Sequence, residues 1–147
     1  MTTLTIQDVS RRCGLSEPTL RYYEQVGLIG PIARDPSSRH RRYREDDVDT
    51  LQALACLRAI GVGIADMRTY QANRKIGHTK AGEQRDLLLG HAERVEAEIE
   101  TLGIHLEYLR AKAALWDARD HGDADAEAEA NLQVQKILPR LQKVVLG

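Results

Sequence analysis

Phenylalanine is absent from this sequence, and aromatic residues together reach only 4%. That scarcity argues against a large aromatic-packed core; one small domain joined to an extended element suits the 147 residues better. Only two cysteines occur, Cys13 and Cys56, and neither belongs to a Cys-x-x-Cys pair, so the pattern of a disulfide framework or zinc knuckle is missing. No apolar run is long enough to cross a bilayer, so no membrane partner is expected. The opening MTTLTIQDVSRR lacks the basic-then-apolar order of a secretory signal, which makes a cytoplasmic location the expectation. No nucleophile–base pair or glycine-rich phosphate loop stands out, so neither an enzyme nor a cofactor is expected. His78, His91, His105 and His121 form no i, i+3 or i, i+4 pair with one another and read as solvated rather than metal-binding. Glu93, Glu96, Glu98 and Glu100 read as a solvated helix face.

What is present is unevenly charged. Residues 1–75 hold 12 Lys/Arg against 9 Asp/Glu, a balance of +3, whereas residues 76–147 stand at −4. A front half that meets an anion is the natural reading. Thr5 can cap a first helix, with Asp8 near its positive end and Ile6, Val9 and Cys13 on one face. Gly14-Leu15 makes a turn, Ser16 caps a second helix, Pro18 is tolerated in its first turn, and Gly27 ends it. Helix, glycine turn, helix is the helix-turn-helix pattern. The stretch LIGPIARDPSSRHRRY cannot be a helix of any length; it predicts a wing of two short extended pieces, residues 32–34 and 41–43. Arg34, Arg39, Arg41, Arg42 and Arg44 cluster there, with His40 among them. Glu45, Asp46 and Asp47 open a third helix with the stripe Val48, Leu51, Ala55 and Ala59, stopped by Gly61; a fourth runs from Ile64 to about Lys75 and ends at Gly77.

From about Lys80 the period changes. Leu88, Ala92, Val95, Ile99, Leu102, Leu106, Leu109, Ala113 and Trp116 are spaced alternately four and three apart, an unbroken heptad seam. One helix with one such seam cannot bury itself, so it predicts a coiled-coil dimer; packing on its own domain is the plainer alternative. Residues 117–130 read as an acidic linker or frayed helix, followed by a short amphipathic face of Val134, Ile137, Leu138, Leu141, Val144 and Val145 that Pro139 interrupts or kinks. The domain expectation is residues 1–77 for DNA binding, 78–119 for dimerisation and 120–147 for the tail.

A helix-turn-helix offers the outer face of its second helix to a major groove. There arginine's planar fork fits guanine edges and phosphates, and tyrosine hydroxyls donate to phosphates. An arginine-loaded wing reaches the backbone or a narrow minor groove. The expected DNA-facing set is Thr19, Arg21, Tyr22, Tyr23, Arg41 and Arg42, with inward packing left open for Tyr23 because it lies three residues from Leu20.

TLRYYEQVGLI, followed by RRY, an acidic helix start and LRAIGVGIADM, resembles the MerR family of transcriptional regulators over roughly residues 4–75. The resemblance implies a mainly α protein: an N-terminal winged helix-turn-helix with a small β wing, then a long dimerisation helix forming an antiparallel coiled coil. It implies a homodimer that binds a palindromic promoter operator and distorts an over-long spacer so that RNA polymerase engages both promoter elements. It assigns Arg21, Tyr22 and Tyr23 to recognition-helix contacts, Arg41 and Tyr43 to wing contacts, and Arg58 to the backbone near the spacer centre. One departure is Arg39, where the family's wing turn usually carries glycine, so another turn type is an expectation here. The branch most similar is the NmlR/AdhR-like one, which responds to aldehydes, nitric oxide or related electrophiles; its lone third-helix cysteine matches Cys56 in ACLRAIG. The alternatives are that Cys56 merely packs, and that the same DNA-binding dimer answers a non-thiol small molecule or no effector at all.

Overall fold

The computed structural model describes the backbone of residues 2–146 and the side chains of residues 2–143. Its elements are α1 (Ile6–Cys13), α2 (Glu17–Gln25), α3 (Glu45–Ile60), α4 (Ile64–Ile76), a 3-10 turn (His78–Lys80), α5 (Ala81–Asp120) and α6 (Ala124–Leu146). The chain divides into two compact units at Leu89–Gly90.

In the first unit the helix ends are written locally. Thr5 and Asp8 form a reciprocal capping box, each side chain bonding the other's backbone amide. Gly14 adopts a left-handed φ of 77° and closes α1 through its amide to the Ser10 carbonyl. Two later ends share one device. The Gly27 and Leu28 amides bond back to the Glu24 and Tyr23 carbonyls, and those of Gly61 and Val62 bond to Arg58 and Leu57, the paired bonds of a Schellman motif. In each, the residue after glycine is a buried apolar one, Leu28 or Val62, so the turn is also fastened to the core.

That core gathers Val9, Leu15, Leu20, Leu28, Ile32, Val48, Leu51, Leu54 and Met67 from all four short helices and the wing base. The α3 stripe differs from expectation: Leu54 is sealed and Ala59 is exposed, because the buried face runs 48, 51, 54 and turns away before the last helical turn. The wing contains two isolated antiparallel bridges, Arg34–Arg41 and Leu4–Tyr43, rather than full strands. Asp35 and the two serines take up the chain between the arms of the first.

For residues 117–130 the second unit replaces the linker alternative with helix. Helix α5 continues to Asp120, only residues 121–123 turn, and α6 begins at once. The Asp123 carboxylate accepts from the Ala126 amide at 3.1 Å, capping α6, and the alanine-rich start has the strongest intrinsic helix propensity. Ala130, Val134 and Ile137 of α6 are buried, as are Ile104, Leu115 and Ala118 of α5, and the pairs Arg140–Glu107 and Arg119–Glu127 join the two helices. Helix α6 runs through Pro139, whose missing N–H withdraws one bond from the Gln135 carbonyl. The expected tail positions Val144 and Val145 lie outside the described side chains.

Candidate nucleic-acid interface

Helix α2 is built to be presented. Ser16 Oγ accepts from the Thr19 amide at 3.2 Å, and Pro18 occupies the first turn, where no helical donor is needed. Leu20 and Tyr23 point inward at 0% and 3% exposure, while Arg21 and Tyr22, one and two steps of 100° further round, face out. Tyr23 is therefore a core residue, and its expected role as a DNA contact gives way to the inward alternative. Burial pushes its phenol above the ordinary value.

Tyr43 is also corrected. It is fully buried, its backbone exchanges two 2.8 Å bonds with Leu4, and burial pushes its phenol up as well. Its ring anchors the wing's returning arm to the core instead of reaching DNA.

Between α2 and the wing lies a groove of about 460 Å³ whose lining includes Arg21, Arg34, Arg39, His40, Arg41 and Arg42. Arg21 makes only a long 3.5 Å contact to Glu17, and Arg42 a 3.7 Å one to Asp35. Asp35 organises the wing tip: its Oδ1 accepts from the Ser37 and Ser38 amides and the Ser37 hydroxyl at 2.8–2.9 Å. The Ser38 amide, the Ser37 hydroxyl and the Ser37 amide together hold its carboxyl far below the usual carboxylate range. Arg39, the departure from the glycine that the resemblance implied, takes a left-handed φ of 66°. Its carbonyl accepts from Arg34 Nη1 at 3.0 Å.

Arg58 reaches across from α3, donating from Nη1 to Thr19 Oγ1 at 3.3 Å, so the structure brings these two expected residues together at the start of α2. A residue that sequence reasoning missed braces the other end. Arg68 Nη2 of α4 donates to the Val26 carbonyl at 2.7 Å, placing a cation at the negative end of α2. No local pattern announces it, since the contact spans 42 positions.

Cys56 is exposed on α3, whereas Cys13 is half-buried against the core. Along α5 the expected seam faces outward: Leu88, Ala92, Ile99, Leu102, Leu106, Leu109, Ala113 and Trp116 are exposed and Val95 is half-buried. Among the described residues no group of three or more His, Cys, Asp or Glu side chains could hold a metal ion, and no helix is long and apolar enough to cross a membrane.

A winged helix-turn-helix with an arginine-lined groove, continued into a long helix, agrees with the comparisons. A profile described as MerR HTH family regulatory protein matches residues 4–74. Heavy metal-dependent transcription regulator 1 of Rhizobium meliloti is 30% identical over 113 residues, covering 75% of this chain and 71% of that protein. The chain belongs to the MerR family. It is thus a DNA-binding transcriptional regulator and not an enzyme, mostly helical as the resemblance implied. A further relative, the HTH-type transcriptional regulator AdhR of Bacillus subtilis, is 32% identical over 92 residues, 63% of this chain and 65% of that protein. Among solved structures, HiNmlR, described as a MerR family regulator lacking the sensor domain and bound to promoter DNA, superposes with a TM-score of 0.69. It is 28% identical, and the match covers 86% of this chain and 96% of that one.

Proposed function

We propose that this MerR-family chain acts as a homodimer on a palindromic promoter operator in the cytoplasm. It places Arg21 and Tyr22 of α2 in successive major grooves and the wing arginines on the flanking backbone. The observation that carries the reading is the outward face of α2 opening onto the arginine-lined groove. The dimer rests on the outward seam of α5, whose register over four heptads suits a second copy of the same helix. With two half-sites held at fixed separation, the dimer distorts an over-long promoter spacer, and RNA polymerase then engages both elements. In domain terms, residues 1–77 bind DNA, 78–119 dimerise, and of the tail, 120–147, the part up to Arg140 braces the dimerisation helix.

The signal enters through Cys56. An exposed thiol two residues from Arg58 is reachable by a small electrophile, and Arg58 itself touches Thr19 on α2, so a change at Cys56 has a short route to the DNA-facing helix. In vitro transcription from the chain's own upstream promoter tests both levels. Formaldehyde, methylglyoxal or a nitric oxide donor changes transcript yield with the wild type and leaves it unchanged with Cys56→Ala. An equal response in both proteins removes the thiol mechanism and leaves the same dimer with a non-thiol effector. The absence of any low-salt gel shift on that promoter removes the operator reading itself.

A further inference from the structure

A DNA-facing surface gains nothing from a carboxylate, yet Glu24 stands beside the basic groove. Its two oxygens are divided between the two arms of the wing. Oε1 accepts from Arg41 Nε on the returning arm at 2.6 Å, and Oε2 accepts from the Ile32 amide on the outgoing arm at 3.0 Å. Both side chains are largely shielded, Glu24 at 15% and Arg41 at 20% exposure. Burial pushes the Glu24 carboxyl up, but the Arg41 bond, the Ile32 amide and the nearby Arg34 outweigh it and hold it below the ordinary value. It is therefore ionised at neutral pH.

The geometry of the pair is specific about which nitrogen is used. Glu24 takes Nε and leaves both terminal nitrogens of Arg41 without a hydrogen-bond partner among the described residues, on a side chain that lines the groove. A guanidinium gripped at Nε cannot swing its long stem, so its remaining fork is presented in a fixed direction at small entropy cost on binding. Arg34 and Arg42, by contrast, spend a terminal nitrogen within the wing.

We propose that Glu24 is a positioning residue for DNA binding: it clamps both arms of the wing to α2 and presents the terminal nitrogens of Arg41 to a backbone phosphate. This rests on the DNA-binding reading above. It has a consequence opposite in sign to simple electrostatics. Deleting a negative charge beside a basic groove strengthens attraction to a polyanion; deleting this one weakens binding.

The test uses the full chain and a duplex containing its upstream promoter, with affinity read by fluorescence anisotropy across a salt series. The variants are Glu24→Gln, Arg41→Gln and the two combined, each checked by thermal unfolding. Glu24→Gln weakens binding about tenfold, the scale of one charge-assisted hydrogen bond. Arg41→Gln weakens it at least as much and lowers the slope of log affinity against log salt by about 0.9, one phosphate. In the Arg41→Gln background the Glu24→Gln change is neutral or tightens binding, since the glutamine carbonyl can still accept from the Ile32 amide while the repulsion is removed. Tighter or unchanged binding by Glu24→Gln alone overturns the proposal. So does a loss that persists in the double variant, because Glu24 would then act on the fold and not through Arg41. Failure of the wild type to bind sinks the DNA-binding reading together with this one, whereas the other outcomes sink this one alone.

Discussion

Leucines of the first unit and leucines of α5 have the same chemistry and opposite fates. Leu20, Leu51 and Leu54 are at 0% exposure within a core drawn from four short helices, while Leu102 and Leu109 each stand 63% exposed on one continuous helix. Four short helices meeting at angles enclose a volume. A single helix of 40 residues encloses nothing, and α6 covers only the face that carries Ile104, Leu115 and Ala118. The difference teaches that the first unit buries its leucines within one chain, whereas the seam of α5 is left uncovered by its own chain, as the proposed dimer requires. A surface of that length and apolarity marks an association site.

Charging the seam breaks the contrast most severely. In Leu102→Glu/Leu109→Glu each protomer forfeits two leucines, each worth about 1.5–3 kcal/mol on burial, so the dimer dissociation constant rises at least a hundredfold. Sedimentation velocity at micromolar concentration then shows a monomer where the wild type sediments as a dimer. An unchanged sedimentation coefficient takes the seam out of the interface.

Leu51→Ala probes the other side of the comparison. Truncating a fully buried leucine costs about 2–5 kcal/mol through lost transfer energy and the cavity left behind. The distinguishing readout is concentration: the Leu51 penalty is the same at every protein concentration, whereas stability lent by the seam grows with concentration by mass action. Thermal unfolding over a hundredfold dilution series separates the two, and a concentration-dependent Leu51 penalty contradicts a self-sufficient first unit.

A smaller effect follows from acid. Glu24 has a folded value below its ordinary 4.5, so its contribution is complete above that value and is lost as pH falls through the lower folded one. Asp35 behaves alike from its ordinary 3.8. The wing therefore loosens on acidification below the ordinary carboxylate range while the core leucines, which do not titrate, hold. Hydrogen exchange of wing amides, Ile32 above all, rises on acidification in the wild type and much less so in Glu24→Gln. Equal pH dependence in both proteins removes the Glu24 clamp as its cause.

Features written within a few residues of chain were legible beforehand. The Thr5–Asp8 box, the Ser16 cap, the glycine ends at 14, 27, 61 and 77, and the spacing of the seam each depend on a local pattern that physics reads the same way everywhere. What escaped depends on distant partners. Tyr43 in RRY looks like one more DNA-seeking side chain until Leu4 bridges it and the core takes its ring. Ala59 fits a helical stripe but has nothing above it, and Arg68 acquires its role only when α4 arrives beside Val26. Residues 117–130 read as a linker or frayed helix because small acidic residues carry little amphipathic signal; their order comes from the Asp123 cap and the buried face further along α6.

The finest form of the contrast between enclosed and exposed order sits at the wing tip. Arg39 is the one non-glycine residue with positive φ among those described, so a side chain there carries strain of about 1–2 kcal/mol that glycine would not. The left-handed residue is held without glycine because the loop around it is over-determined: Asp35 grips Ser37 and Ser38, and Arg34 grips the Arg39 carbonyl. Arg39→Gly relieves the strain, offset in part by glycine's greater freedom in the unfolded chain, for a net gain of less than about 1 kcal/mol in unfolding free energy. The same change removes one cation from the groove and lowers the salt slope of promoter binding by about 0.9 if Arg39 meets a phosphate. Stability rising while DNA affinity falls identifies Arg39 as a residue kept for the ligand at the expense of the fold. If both fall together, the arginine side chain is part of what holds the turn.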